Sequence, residues 1–230
     1  LMPGTLIDAV IADAAAKGLL RGKDLETALE GLLKHATIDS DNSVQGRHGT
    51  EDYLKYGYVP AEKYRESANH TMDYVYGDFC IARVAEIAGN SKLADEFYQR
   101  ADNYKKMFDS KEGFLRGRNS DGSFPEGFDP CNWGDPYCEG GAWQNGFSVF
   151  HDLRGLDALY GDAGGLCSKL MELFDTPPIY NVASYGFEIH EMTEMAALDF
   201  GQCAISNQPS FHLPYIFTVL GHPEHTAEKL

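Results

Sequence analysis

The amino-acid sequence predicts an all-α fold built from helical hairpins, and three observations support this prediction. Apolar residues recur at steps of three and four along most of the chain, as they do on the buried face of a helix. Short segments rich in glycine, asparagine and aspartate separate these stretches, which is typical of turns between paired helices. Strand-like alternation never extends persuasively beyond about four residues, so the pattern does not favour a sheet.

The first two helices are predicted to form a hairpin. Thr5 and Asp8 have the spacing of a capping box at the start of the first helix, and Leu6, Val10 and Ala14 lie on one apolar face. The second helix is predicted to begin near residue 24 and to bury the following side chains: Leu25, Ala28 or Leu29, Leu32 and Ala36.

Residues 38–49 lack helical periodicity and are predicted to form a loop. Asp39, Asp41 and Asn42 offer oxygens to a metal, although polar clusters of this kind are more often solvated turns. The clearest helix of the chain follows at 67–88, and another begins after its glycine-containing turn. The predicted apolar faces are Ala68, Met72, Val75, Phe79 and Ala82 in the first of these helices, and Leu93, Phe97, Ala101, Tyr104 and Phe108 in the second.

Other stretches with helical periodicity complete the predicted architecture. Together with the helices above they amount to nine or ten helices arranged in hairpins, with polar or irregular loops between them. The stretches are 51–59, 145–160, 163–174, 188–200 and 210–220.

Composition indicates a globular domain and excludes some functions. The chain has 230 residues, of which 43% are hydrophobic and 23% charged, and no apolar run approaches the ~20 residues that cross a bilayer. A net charge of −16 without a basic cluster argues against binding to nucleic acid. The acidic surface suits a neutral or cationic ligand, or a divalent metal.

Five cysteines are present, and none belongs to a Cys-x-x-Cys pair or to a Cys/His spacing typical of zinc sites. The spacing therefore argues against zinc. Cys131 and Cys138 are candidates for a short disulfide if the protein is exported, but the odd count favours free thiols. We expect the protein to be secreted or periplasmic.

The segment 128–146 is the most distinctive part of the chain because it lacks periodicity yet contains both tryptophans. Glu139 is its candidate catalytic acid, since the two glycines that follow let the backbone approach a ligand closely. Trp133, Trp143 and Tyr137 are candidates to line a sugar-sized pocket. The alternative is a loop glutamate stabilised by a helix N-terminus.

Later and flanking segments supply further candidates. Asn207 and Gln208 carry amide oxygens, the hard donors that calcium accepts. Arg118 would hold sugar hydroxyls if the turn beside it lies near Glu139, and is otherwise a surface charge. His212 is a further candidate for contact with substrate.

Glu188, Glu191 and Glu194 lie with His190 on one predicted helix. Metal ligation or base catalysis is one interpretation of this group. A solvated helical face is the interpretation that we favour, because the spacing drifts around the helix.

Six ordered motifs cover nearly the whole chain and resemble those of one known family. They are D-A-V-I-A-D-A at 8–14, G-T-E-D-Y-L-K-Y-G-Y-V-P at 49–60, T-M-D-Y-V-Y-G-D-F-C-I-A at 71–82, R-N-S-D-G-S at 118–123, E-G-G-A-W-Q at 139–144 and N-Q-P-S-F-H at 207–212. Together they resemble glycoside hydrolase family 92, the calcium-dependent, exo-acting alpha-mannosidases.

The resemblance implies that residues 1–230 form part of an (α/α)6-barrel catalytic domain. It also implies hydrolysis of terminal alpha-mannosides with inversion, with Glu139 as general acid. Calcium would bind the 2- and 3-hydroxyls of the terminal mannose of a glycan, and Asn207 and Gln208 would contribute to that metal site.

Two departures from the family pattern affect these expectations. Gln208 stands where the family's N-E-P motif has a carboxylate, and Gly141 stands where its E-G-N-A-W-Q motif has asparagine. The family's catalytic base is expected in an aspartate-rich motif beyond Leu230, and the preceding beta-sandwich is expected in a missing N-terminal part. We therefore expect the chain to be a fragment of a larger enzyme and inactive in isolation.

Two alternative functions remain open from the sequence. Another (α/α)-barrel glycosidase or lyase is compatible with helical hairpins that carry reactive loops. A helical-repeat interaction module is the other alternative, but no self-similarity at a fixed period supports it.

Overall fold

The computed structural model describes residues 5–40, 45–161 and 165–230, and it confirms a mostly helical fold. The described residues do not include Asp41, Asn42 or Ala163. The metal hypothesis for the loop at 38–49 and the predicted start of the helix at 163–174 therefore fall outside the described residues. The helices are α1 Ile7–Ala16, α2 Gly22–Thr37, α3 Thr50–Tyr56, α4 Ser67–Ile87, α5 Ser91–Ala101, α6 Ala142–Asn145, α7 Leu153–Leu159, α8 Gly165–Asp175, α9 His190–Leu198, α10 Leu213–Leu220 and α11 Pro223–Lys229.

Short elements of other types accompany these helices. A 3-10 helix at Asp102–Met107 extends α5 and leads into a two-stranded antiparallel sheet, β1 Phe108–Asp109 and β2 Phe114–Leu115. Two more 3-10 turns lie at Ala183–Tyr185 and Gln208–Ser210. Within the described part of the chain, no helix is long and apolar enough to cross a bilayer.

Helix α4 is the central element of the fold. The predicted stripe residues Ala68, Met72, Val75 and Ala82 are buried. The helix also buries residues on its other faces, because α1, α2 and α5 pack around its C-terminal half while the later loops and helices pack around its N-terminal half. A 21-residue helix enclosed on several sides has a weak amphipathic pattern, so its position could not be inferred from one stripe.

Helix α2 follows the sequence-based prediction, whereas α1 does not. The predicted residues of α2, Leu25, Leu29, Leu32 and Ala36, are all buried. In α1 the buried residues are instead Asp8, Ala12 and Ala15, and no side chain caps its start. The predicted face was wrong: Val10 is 63% exposed because Asp8 turns inward to an arginine.

The interior charge that draws Asp8 inward is Arg47, whose side chain is 0% exposed. Its guanidinium donates to Asp8 Oδ2 at 2.9 Å and to Asp78 Oδ1 at 2.8 Å. Asp78 also accepts from Arg100 Nε and from the Tyr53 hydroxyl, both at 2.8 Å. Burial alone would lower the pKa of Arg47, but the two carboxylates outweigh burial and raise it. The network ties α1, α3, α4 and α5 together.

The long helix predicted at 145–160 is interrupted in the structure. Residues 146–152 are irregular, and Asp152 starts α7 by accepting the Gly155 N–H at 2.8 Å. The Asp152 carboxylate also accepts from the Tyr104 hydroxyl at 2.7 Å. A side chain that satisfies free amides at a helix start favours a boundary at that position, which explains the break.

Candidate active site

The segment 128–146 forms a loop that folds back on itself before the short helix α6. Glu139 lies in this loop with φ +49°, a left-handed conformation that non-glycine residues seldom adopt. Gly141 follows where a Cβ would come within 2.5 Å of the Asn132 carbonyl oxygen, so only glycine fits there. The glycines predicted to allow close approach are therefore used for packing of the loop against itself.

The backbone of Glu139 is anchored from two sides. Its N–H donates to the Tyr185 hydroxyl at 2.9 Å, and its carbonyl accepts from Asn207 Nδ2 at 3.2 Å. The side chain is half-buried. A strained backbone conformation persists only where surrounding contacts stabilise it, and such conformations are frequent at functional sites.

Asn207 joins the two segments that the sequence singled out. Its Oδ1 accepts the Gln208 N–H at 2.9 Å while its Nδ2 donates to Glu139, so both bonds together fix the orientation of the amide. Asn207 is 5% exposed, and Gln208 is exposed on the outer side of the turn. The structure therefore brings segments 68 positions apart into direct contact.

Helix α4 contributes a polar face to the same region. Asn69 accepts the Cys138 N–H at 3.0 Å and donates to Asn145 Oδ1 at 2.9 Å, which holds both ends of the Glu139 segment. Asp73 lies one turn further along α4 and acts electrostatically on the Cys138 thiol. The sequence analysis missed both residues because polar positions on a buried helix carry no local signal of a site.

Asp73 has an unusual protonation behaviour for an aspartate. Burial raises its pKa to about 7, and the Arg47 charge opposes this only in part. A carboxyl group with such a pKa beside a candidate catalytic loop is typical of functional sites. Its raised pKa also has a consequence for stability.

We expect Asp73→Asn to stabilise the protein near pH 7. For a carboxyl group with a raised pKa, the unfolded chain releases its proton first, so stability falls as pH rises from about 4 to about 7. The variant should remove up to about 4 kcal/mol of this loss. Urea denaturation at pH 4 and pH 7.5 measures the free energy of unfolding of the variant and the wild type. The control is Asp95→Asn, on the exposed side of α5. An equal effect at both pH values would contradict the assignment.

The tryptophans lie beneath the loop rather than at its surface. Trp133 is 0% exposed and packs against Met192 and Met195 of α9. Trp143 is 3% exposed and packs edge-on against Phe114, with the ring centres 4.7 Å apart. The Lys169 ammonium lies 4.5 Å from the centre of the Trp143 ring. Both rings support the segment from below, and their contact with a substrate stays a prediction.

Arg118 and His212 have other partners in this chain. Arg118 donates to the carbonyls of Gly122 and Lys106, both at 2.7 Å, and so stabilises the neighbouring turn. His212 packs edge-on against Phe150, and burial lowers the pKa of its imidazole to about 4, against the opposing effect of two backbone carbonyls. His212 is therefore neutral at physiological pH. The substrate contacts of both residues stay predictions.

Three glutamates lie in or just before α9. Exposed His190 lies 3.2 Å from Glu191 and 3.1 Å from Glu194, and Glu188 accepts from the Tyr180 hydroxyl at 2.6 Å. Glu188 and Glu194 are exposed, as expected for a solvated face, whereas the Glu191 side chain is only 16% exposed.

A cleft borders the loop, and Glu139 is not among the residues that line it. It has a volume of about 140 Å³ and is lined in part by Arg116, Phe128, Asp129 and Tyr137. A smaller pocket of about 40 Å³ lies between Glu66 and Tyr185, beside the Glu139 anchor. Of the three aromatic residues predicted to line a pocket, Tyr137 borders both cavities.

All five cysteines are free thiols.

The sequence matches a family model, the glycosyl hydrolase family 92 catalytic domain, over residues 1–230. A curated relative, an uncharacterized secreted glycosidase from Arthroderma benhamiae, is 26% identical and aligns with 98% of this chain and 30% of its own length.

Solved structures of family 92 enzymes are also similar. An inverting mannosidase from Bacteroides thetaiotaomicron matches with a TM-score of 0.79 and 38% identity, over 94% of this chain and 29% of that protein. An alpha-mannosidase from the same organism, solved in complex with mannoimidazole, matches with a TM-score of 0.83 and 26% identity, over 99% of this chain and 29% of that protein. The chain thus spans less than a third of the length of these relatives.

Proposed function

The chain belongs to glycoside hydrolase family 92, and we propose that it supplies the general-acid side of the active site of an exo-acting, inverting alpha-mannosidase. The substrate would be a terminal alpha-linked mannose of a glycan. One observation carries this proposal: the side-chain amide of Asn207 donates a hydrogen bond to the Glu139 carbonyl. The segments assigned to acid catalysis and to metal binding therefore lie together.

In the proposed reaction the Glu139 carboxyl group donates its proton to the leaving glycosidic oxygen. The hydrogen bonds that its backbone makes with Tyr185 and Asn207 fix the position of the Glu139 Cα, from which the side chain extends. Inversion needs a second carboxylate roughly 6.5–9.5 Å away, with room for the attacking water. We place this base in another part of the whole protein, which would also complete the (α/α)6 barrel. A secreted or periplasmic location fits a glycan substrate.

Two amide side chains of this chain fit part of a calcium shell. Calcium takes six to eight oxygen ligands, so the remainder would come from substrate, water and other parts of the protein. Asn207 Oδ1 already accepts one N–H, but an amide oxygen has a second lone pair, and Gln208 is exposed. Bound calcium would polarise the 2- and 3-hydroxyls of mannose and favour a flattened ring.

The function is tested by the sugar that the whole natural protein releases. We expect mannose to be released from alpha-linked mannobioses, and proton NMR should detect the beta anomer first because inversion reverses the anomeric configuration. Disaccharides with other alpha-linked terminal sugars serve as controls. Initial release of alpha-mannose would exclude inversion, and cleavage of only the control sugars would exclude a mannosidase.

We expect chelation by EDTA to abolish the activity and added calcium to restore it. Gln208→Glu should lower the calcium concentration required by about 10-fold, because a carboxylate binds this ion more strongly than an amide. Gln99→Glu, on the exposed face of α5, changes the net charge equally and should have no effect. Activity indifferent to EDTA would contradict the metal assignment.

A further inference from the structure

A second cluster of metal-ligating side chains lies away from the candidate active site. Ligand atoms of Cys167 in α8 and of His222 and His225 at the start of α11 all lie within 4.8 Å of one another. In the part of the chain that the structure describes, this is the only such group of three. We propose that it binds a divalent transition metal of the zinc class.

The donor set decides which metal fits. One thiolate and two imidazoles are softer donors than the oxygens that calcium prefers, and they suit tetrahedral zinc. Zinc–sulfur and zinc–nitrogen bonds of about 2.3 and 2.0 Å place the ligands of a tetrahedral site roughly 3.3–3.8 Å apart. The ligand atoms, which lie within 4.8 Å of one another, therefore need to approach by at most about 1.5 Å, and the exposed His222 side chain is free to rotate toward the other two.

The corner between α10 and α11 already holds both histidines on one side. Gly221 turns the chain with φ +94°, and the His222 N–H donates to the Phe217 carbonyl at 2.8 Å. The hydroxyl of Thr226 donates to the Pro214 carbonyl at 2.7 Å, which fixes α11 against α10. Because His222 and His225 are three positions apart, their rings lie close, with centres 5.8 Å apart.

The hydrogen bonds of the two imidazoles leave nitrogens for a ligand. Nδ1 of His222 lies 3.3 Å from the Glu224 carboxylate, the arrangement in which a carboxylate orients a metal-binding histidine through its other nitrogen. Nδ1 of His225 is buried and makes no hydrogen bond among the described residues, and its nearest acceptor is the Glu228 carboxylate at 3.6 Å. This is the same arrangement as in His222, with a carboxylate beside Nδ1, and it would orient His225 to bind a metal through its other ring nitrogen.

The surrounding charge also favours a cation. Burial, and then the Asp157 and Glu224 carboxylates, raise the pKa of the Cys167 thiol. The same two negative charges attract a cation, which would stabilise the thiolate when it binds. Water would complete the tetrahedral site as the fourth ligand.

The bound metal would join α8 to α11. Two residues beyond Cys167, Lys169 lies over the Trp143 ring beneath the Glu139 loop. The sequence analysis argued against zinc because no local spacing indicates it. Cys167 precedes His222 by 55 positions, and only the fold brings the thiol to the two histidines.

Cobalt titration of the whole natural protein tests this site, because a thiolate bound to Co²⁺ gives a charge-transfer absorption. We expect one equivalent of Co²⁺ to produce this band together with the visible bands of a tetrahedral site, and Zn²⁺ to displace it. Cys167→Ser should abolish the charge-transfer band. His222→Gln and His225→Gln should each weaken binding by at least the 10- to 100-fold typical of a lost orienting partner.

Matched controls are available within the chain. Cys131→Ser removes another half-buried thiol, and His190→Gln removes an exposed imidazole beside two glutamates; neither should change the titration. Because His222 is exposed, its variant is expected to fold, and Zn²⁺ should raise the melting temperature of the wild type but not of this variant. Absence of the charge-transfer band, or its survival in Cys167→Ser, would overturn the proposal.

Discussion

Replacing Glu139 with glutamine is expected to lower kcat/KM on an unactivated alpha-mannoside by about 10²- to 10⁴-fold, the usual contribution of general acid catalysis. Glutamine keeps the size of the side chain but carries no acidic proton. The anchors to Tyr185 and Asn207 are made by the backbone, so the variant should keep the loop conformation. The loss should therefore come from proton transfer.

Glu191→Gln is the matched control for this variant. Glu191 is also a half-buried glutamate, but its partner is the exposed His190 on α9. We expect its kcat/KM to remain within about twofold of the wild type. A comparable loss in both variants would show that the effect is structural.

Replacing Arg47 with methionine is expected to lower the free energy of unfolding by about 3–5 kcal/mol, the usual cost of breaking a buried ion pair. Methionine fills much of the volume but leaves Asp8 and Asp78 buried without the charge between them. Asp78 keeps Arg100 and Tyr53, whereas Asp8 keeps the imidazole of His35, so Asp8 should bear most of the loss. Urea denaturation at pH 7 measures the change.

Arg83→Met provides the comparison for Arg47. Arg83 forms an exposed pair with Glu86 one turn along α4, and exposed pairs contribute between about 0 and 1 kcal/mol. If the two variants lose similar stability, the interior network is not what holds the first helices to α4.

Local pattern predicted those elements whose burial is one-sided. The apolar stripe of α2 is complete in the sequence, so its buried face could be predicted. The face of α1 could not, because Asp8 is buried by Arg47, which lies 39 positions later in a loop. A long-range ion pair overrides the hydrophobic pattern of a short helix, and no periodicity reveals it.

The candidate site shows the same limit. Glu139 stood out in the sequence because glycine, tryptophan and acidic residues crowd around it. Its contact with Asn207 exists only because the fold brings the two loops together, although both had been singled out. Asp73 was missed because its raised pKa arises from burial among residues that are distant in sequence. Arg118 stabilises a turn in this chain, and its contact with substrate stays a prediction.

The most direct test of the account compares how Glu139→Gln acts on two kinds of substrate. A mannoside whose leaving group departs without protonation does not need the acid, whereas an unactivated disaccharide does. We expect the loss in kcat/KM to fall from about 10²- to 10⁴-fold on the disaccharide to less than about 10-fold on the activated mannoside. An equal loss on both substrates would contradict the assignment of Glu139 as the general acid.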